Sequence, residues 1–183
     1  SAQTLTNYTV PGIGTPIAAA LDNAMHNLVT LDFGSTFIPF TNYFLDIKGV
    51  MDTSENSISP TLSVPFIYKV VNTPLVGDVV VNEIMADPSP MVGLPENEFI
   101  EIFNRSNTIF YTKQWALRNE GLTKYSFPEV VLQPNTYYIL CKSTDSAAFA
   151  VYGKVISFVS FPTFDNTGGD SVIILDQTDK RID

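Results

Sequence analysis

The chain has 183 residues, 45% of them hydrophobic and 12% aromatic, enough to bury a sizeable core and too apolar for a disordered segment. Ten Lys and Arg against nineteen Asp and Glu give a formal charge of −9. That sign repels phosphate-rich polymers over the distances at which charge steers encounters, and so speaks against nucleic-acid binding. Residues 1–76 carry five acids and two bases and residues 77–183 fourteen and eight, so the surplus is spread along the chain and no acidic tail holds it.

In the first part the pattern predicts strands at 6–10, 17–21, 28–33, 43–50 and 62–70, each short and bounded by Gly, Pro, Asn or Asp. Leu28, Thr30 and Asp32 alternate with Val29, Leu31 and Phe33, and Phe44, Asp46 and Lys48 with Leu45, Ile47 and Gly49. Each strand therefore has a more apolar and a wetter face. Residues 18–25 contain helix formers but few capping residues. From Asp52 to Asn56 several side-chain oxygens crowd into five residues, which suits an Asx turn better than a calcium loop. Asn7 to Val10, Asn27 to Phe33 and the run from Thr41 through Gly49, Val50, Asp52 and Asn56 to Ile58 form an order. It resembles a bacterial Ig-like domain of the S-layer-associated type over residues 4–70. The resemblance implies a β-sandwich lacking its first strands, hence one with an unpaired edge. Pro60, Pro65, Pro74 and Gly77 punctuate residues 59–77, the expected join between a domain at 1–76 and one at 77–183.

The second part predicts strands at 78–85, 98–104, 114–118, 130–132, 137–141, 155–159 and 171–175, with one or two helical turns within 144–152 after Thr144 or Asp145. Five places carry a further resemblance: Asn82 to Ile84, Glu98 to Asn104, Trp115 to Leu117, Leu132 to Leu140, and Asn166 to Asp176. Their order and spacing resemble the lamin tail domain, an Ig-like β-sandwich. The resemblance implies that Trp115 lies in the core and that Gly168, Gly169 and Asp170 turn the chain into a late strand, a glycine pair being what positive φ favours. It also implies that Asn82, Glu83 and Glu101 are structural polar positions, bonded between strands. The expected fold class is all-β: two Ig-like β-sandwich domains in tandem, the first incomplete.

Three acids, Asp87, Glu96 and Glu98, flank the loop 88–95. Carboxylates gathered at one end of a sandwich suit a hard cation such as calcium, and they are the candidate metal residues. Met91, Val92 and Leu94 of the same loop offer the alternative of an apolar contact for a partner protein. Cys141, the single cysteine, sits in the apolar run 137–141 and reads as core, because a catalytic thiol wants a basic neighbourhood and a histidine; the one histidine is His26. The sequence has no Gly-x-Ser-x-Gly elbow, no phosphate-cradling glycine loop and no His-rich zinc pattern, so no enzyme is expected. Phe110, Tyr111, Tyr125, Phe127 and Phe161 are possible sugar platforms, though most read as core. Asn7 and Asn104 open N-glycosylation sequons that decide nothing.

No apolar run reaches the roughly 18 residues of a membrane span. The absence of an initial Met, and an end at 179–183 that reads as an unfinished strand, suggest a piece of a longer protein. The expected function is a noncatalytic extracellular module of a bacterial cell-surface or secreted protein, acting in adhesion, spacing or protein–protein interaction. The alternative is an accessory polysaccharide- or calcium-binding segment of a larger surface hydrolase. The expected partners are accordingly another protein or a surface polysaccharide.

Overall fold

Short alternating runs broken by Gly, Pro and Asn fold here as strands and little else. The computed structural model describes residues 1–25, 27–91, 93–119, 122–165 and 171–183. Among them are fourteen strands, one 3-10 turn (Leu5–Asn7) and a single helical turn, α1 (Ser146–Phe149), so the expectation of an all-β chain is met. No helix among the described residues is long and apolar enough to cross a membrane. The chain divides into two compact units, Ser1–Val70 and Val71–Asp183.

In the first unit, β1 (Tyr8–Thr9), β4 (Asn42–Ile47) and β5 (Leu62–Ile67) form an antiparallel sheet in the order β1-β4-β5, and β2 (Ala18–Leu21) pairs with β3 (Val29–Asp32) as a hairpin. The helix formers at 18–25 divide between strand and turn. Asp22 ends β2 by accepting the main-chain N–H groups of Ala24 and Met25 at 2.8 and 2.7 Å, a local bond that competes with helix. Tyr43, Leu45 and Ile47 stand opposite Phe66, Val64 and Leu62, so one face of this sheet is wholly apolar. Phe37 closes one end of it, edge-on to Tyr43 at 5.0 Å and to Phe66 at 5.8 Å. The rest stays open: Leu62 and Val64 are exposed, and among the described residues Tyr8 and Val10 are the unit's buried large hydrophobics. The Asx turn is present, since Asp52 Oδ1 accepts from the N–H groups of Ser54 and Asn56, and its Oδ2 from Asn56 Nδ2 at 2.8 Å.

The second unit is a two-layer sandwich. One layer runs β13 (Val155–Phe158), β12 (Thr136–Lys142), β7 (Phe99–Asn104), β6 (Val79–Met85); the other runs β10 (Lys124–Ser126), β9 (Ala116–Asn119), β14 (Val172–Leu175), with β8 (Phe110–Tyr111) and β11 (Val131–Leu132) as a separate pair. Ile100, Ile102, Leu140, Leu117, Ile174 and Trp115 meet in the core between them. All neighbours pair antiparallel except β12 and β13, whose parallel crossover passes through α1, as such a connection requires. The opposite face of β7 and β12 is also covered: Phe99, Ile139 and Cys141 pack beneath Phe149 of α1 and Leu94. Burial on both faces explains why 138–141 reads as an unbroken apolar run.

Where expectation and structure differ, short-range geometry is the reason. The strand expected at 114–118 begins at Ala116, because Gln114 has φ +64° and the Trp115 N–H still closes a turn on Thr112 O at 3.0 Å. β8 and β10, of two and three residues, are too short for alternation to show.

Candidate functional site

The three predicted acids lie at one end of the second sandwich, where the β6–β7 connection meets the start of α1 and residues 161–164. Glu96 and Glu98 line a cavity of about 310 Å³ together with Pro88, Lys142, Asp145 and Phe161. Asp87 lines a neighbouring cavity of about 160 Å³ with Met85, Leu94 and three prolines, and Pro88 belongs to both. The structure thus brings two of the three acids together, adds Asp145, and places the third on the other side of Pro88. Glu98 is already engaged, its Oε1 accepting the Phe164 N–H at 2.9 Å. Among the described residues no three His, Cys, Asp or Glu side chains converge as a metal ion would require. What remains is a mixed-charge cavity with an aromatic wall, suited to hydrogen-bonding a polar ligand more than to chelation. Of the apolar alternative, Met91 is exposed, Leu94 packs under α1, and Val92 lies outside the described residues.

The other residues singled out from sequence resolve as follows. Trp115 is in the core, its Nε1 donating to Gln177 Oε1 at 3.2 Å between the rings of Phe110 and Phe127. Phe110, Tyr111 and Phe127 are buried and offer no platform; Tyr125 and Phe161 are half-buried against the same core. Asn82 Nδ2 donates to Glu101 Oε1 at 2.7 Å across β6 and β7, as its structural reading requires, whereas Glu83 is exposed at the bulge beside it. Cys141 is fully buried, and burial, reinforced by the charge of Asp145, pushes its thiol up to about 11, the opposite of what a nucleophile needs. His26, Gly168, Gly169 and Asp170 lie outside the described residues.

Sequence reasoning missed three buried polar hubs. Asn104, with no exposed surface, donates through Nδ2 to the carbonyls of Thr108, Leu132 and Gln133 and accepts from Ser106, tying the end of β7 to the end of β11. Thr112 Oγ1 donates to Pro128 O at 2.6 Å and accepts the Val130 N–H at 3.0 Å. Asp176 Oδ1 accepts from the Thr178 N–H and O–H and from the Lys180 N–H. Burial pushes the Asp176 carboxyl up, but those bonds and the Lys180 charge outweigh it and hold the group below its ordinary value. An Asx or Ser/Thr residue just past an apolar run is the signal that could have found them.

Asp176 also anchors the return of the chain. Past the turn that it fixes, Ile182 is buried and exchanges main-chain bonds with Ile174 and Gly77, and Asp183 Oδ2 accepts the Val81 N–H at 2.9 Å. Gly77 is required where it stands, since its φ is +82° and a Cβ there would lie 2.6 Å from an Arg105 guanidinium nitrogen.

No curated protein matches the chain. The model of one family, the lamin tail domain, matches residues 72–183. With two layers of mostly antiparallel strands, a buried Trp115 and a match over more than half of its length, this chain belongs to the lamin tail domain family.

Proposed function

We propose that the chain is a noncatalytic module of a bacterial cell-surface or secreted protein, acting outside the cell in adhesion, spacing or protein–protein interaction. The observation that carries this reading is the lamin-tail match over residues 72–183, joined to how the sandwich uses its polar side chains. Asn104, Thr112 and Asp176 hold turns and strand ends, and Cys141 is buried among Phe99, Ile139 and Phe149 with its thiol raised. Residues 1–70, with the Gly49, Val50, Asp52 and Asn56 order of an S-layer-associated Ig-like domain, make a second β-rich unit consistent with a surface array. Its open apolar face is what an incomplete sandwich would leave.

A second reading has one observation in its favour. The cavity with Glu96, Glu98, Asp145 and Phe161 combines carboxylates with an aromatic wall, the pairing that holds sugar hydroxyls and a sugar face. On this reading the module presents polysaccharide to a hydrolase domain. A glycan array decides between the two. Silence across polysaccharide classes, with no heat of calcium binding by calorimetry, fits the first reading; binding to one class that is lost in Glu96→Gln fits the second. Turnover of any polysaccharide by the purified chain would refute both.

A further inference from the structure

Four strands of the second unit stand at the edges of its two layers, and three of them are protected. The N–H of Val81 in β6 is taken by Asp183 Oδ2. β14 is covered by the returning residues 181–183, with Ile182 N–H bonded to Ile174 O at 2.8 Å. β10 carries Lys124, paired with Asp179 at 2.6 Å. Edges left bare recruit other strands, and charge, proline or a cover is the usual defence.

β13 has none of these. From Val155 to Val159 the sequence is Val-Ile-Ser-Phe-Val, with no charge and no proline, and among the described residues no strand lies on its far side. Ile139 N–H donates to Lys154 O and Ser143 N–H to Phe158 O, both at 2.8 Å, so positions 154, 156 and 158 turn their main-chain groups toward β12. By alternation Val155, Ser157 and Val159 turn theirs outward. Val159 is 92% exposed. Beside this edge, between β13 and β10, lies an open cavity of about 360 Å³ floored by Phe127 and Phe158.

We propose that β13 is a self-association edge, pairing antiparallel with β13 of a second copy about a two-fold axis at Ser157. The edge is self-complementary in this arrangement. Ser157 meets Ser157, Val159 of each copy stands opposite Val155 of the other, and both sets of outward N–H and C=O groups are used. The charge-free run also gives two chains of charge −9 a line on which to meet with no opposed carboxylates. Five residues a side bury less than the roughly 1,200 Å² of a stable interface, so the dimer is weak and concentration-dependent. The proposal rests on the module reading only in naming one partner. A strictly monomeric chain would sink it and leave that reading intact, whereas turnover of substrate would do the reverse.

The test is sedimentation of the full chain from about ten micromolar to about one millimolar, beside Val159→Lys and Ser157→Pro. The first variant changes an exposed side chain; the second removes an outward N–H that the β12 ladder does not use. The expected result is a weight-average mass rising toward the dimer in the parent, with association weakened by about tenfold or more in both variants and their thermal midpoints unchanged. In an antiparallel pair the facing Cα atoms lie about 5.5 Å apart, within disulfide reach, so Ser157→Cys should cross-link to itself under mild oxidation while Ser126→Cys should not. A parent that stays monomeric without cross-linking, as it would if this edge served a strand of a different protein, overturns the proposal. So does a dimer that persists in Val159→Lys.

Discussion

Asn104→Ala should destabilise the second unit well out of proportion to the atoms removed. The amide donates to Leu132 O at 3.3 Å, Gln133 O at 3.0 Å and Thr108 O at 2.9 Å, and it accepts from the Ser106 N–H at 3.2 Å and O–H at 2.8 Å. The bond to Leu132 is fully buried, so that carbonyl would lose its partner without gaining water, at a cost of about 1–3 kcal/mol. The remaining groups are partly accessible and recover some hydration, adding about 1 kcal/mol in all. A total of roughly 2–4 kcal/mol corresponds to a fall in Tm of about 8–17 °C for a unit of this size. The assay is urea or thermal unfolding followed through Trp115, the single tryptophan, which is buried in the same unit. Asn104→Asp adds a sign. A carboxylate facing three carbonyls has its folded pKa raised, so the penalty is absent at a pH below the unfolded value and grows as pH rises through the folded one. That variant should therefore gain on acidification relative to the parent. A loss below about 0.5 kcal/mol in Asn104→Ala, or a pH-independent Asn104→Asp, would refute the reasoning.

The buried Cys141 thiol, raised to about 11, should resist a thiol reagent at pH 8 in the native state and react at once in denaturant; prompt native labelling would contradict its packing. Ile182→Ala removes a fully buried side chain from the core between the layers and should cost about 2–4 kcal/mol by the same fluorescence assay. Asp176 has a depressed pKa, so its contribution is present above the ordinary carboxylate value and lost as pH falls through the folded value. Asp176→Asn should flatten that acid limb, and an unchanged pH profile would show that the carboxylate does not govern it.

How far the sequence speaks can be judged at particular residues. The short strand-like run at 98–104 announced β7, and the apolar run 137–141 announced β12, because the length of a run and the turn residues that bound it are local features of the sequence. Trp115 was placed in the core by resemblance, and the structure shows why it belongs there: its one polar atom finds Gln177, far along the chain. The acids flanking loop 88–95 were legible as a group, but not that Pro88 separates Asp87 from Glu96 and Glu98, nor that Asp145 joins them. Contacts between residues fifty positions apart leave no periodic trace. Asn104 read from sequence as the end of a strand and a sequon, and Asp176 as the end of the stretch 166–176; their buried carbonyl and N–H partners show only in the structure.

The sequence by itself determined strand content, the class of fold and the burial of Cys141, since each depends on local polarity and on which residue types are present at all. Tertiary structure decided which edges are covered and which is bare. Among the described residues, 181–183 cover β14 and Asp183 caps Val81 of β6, while no strand pairs with the outer side of β13, because hydrogen bonds between strands are set by where distant segments come to lie and the main chain is the same at every residue.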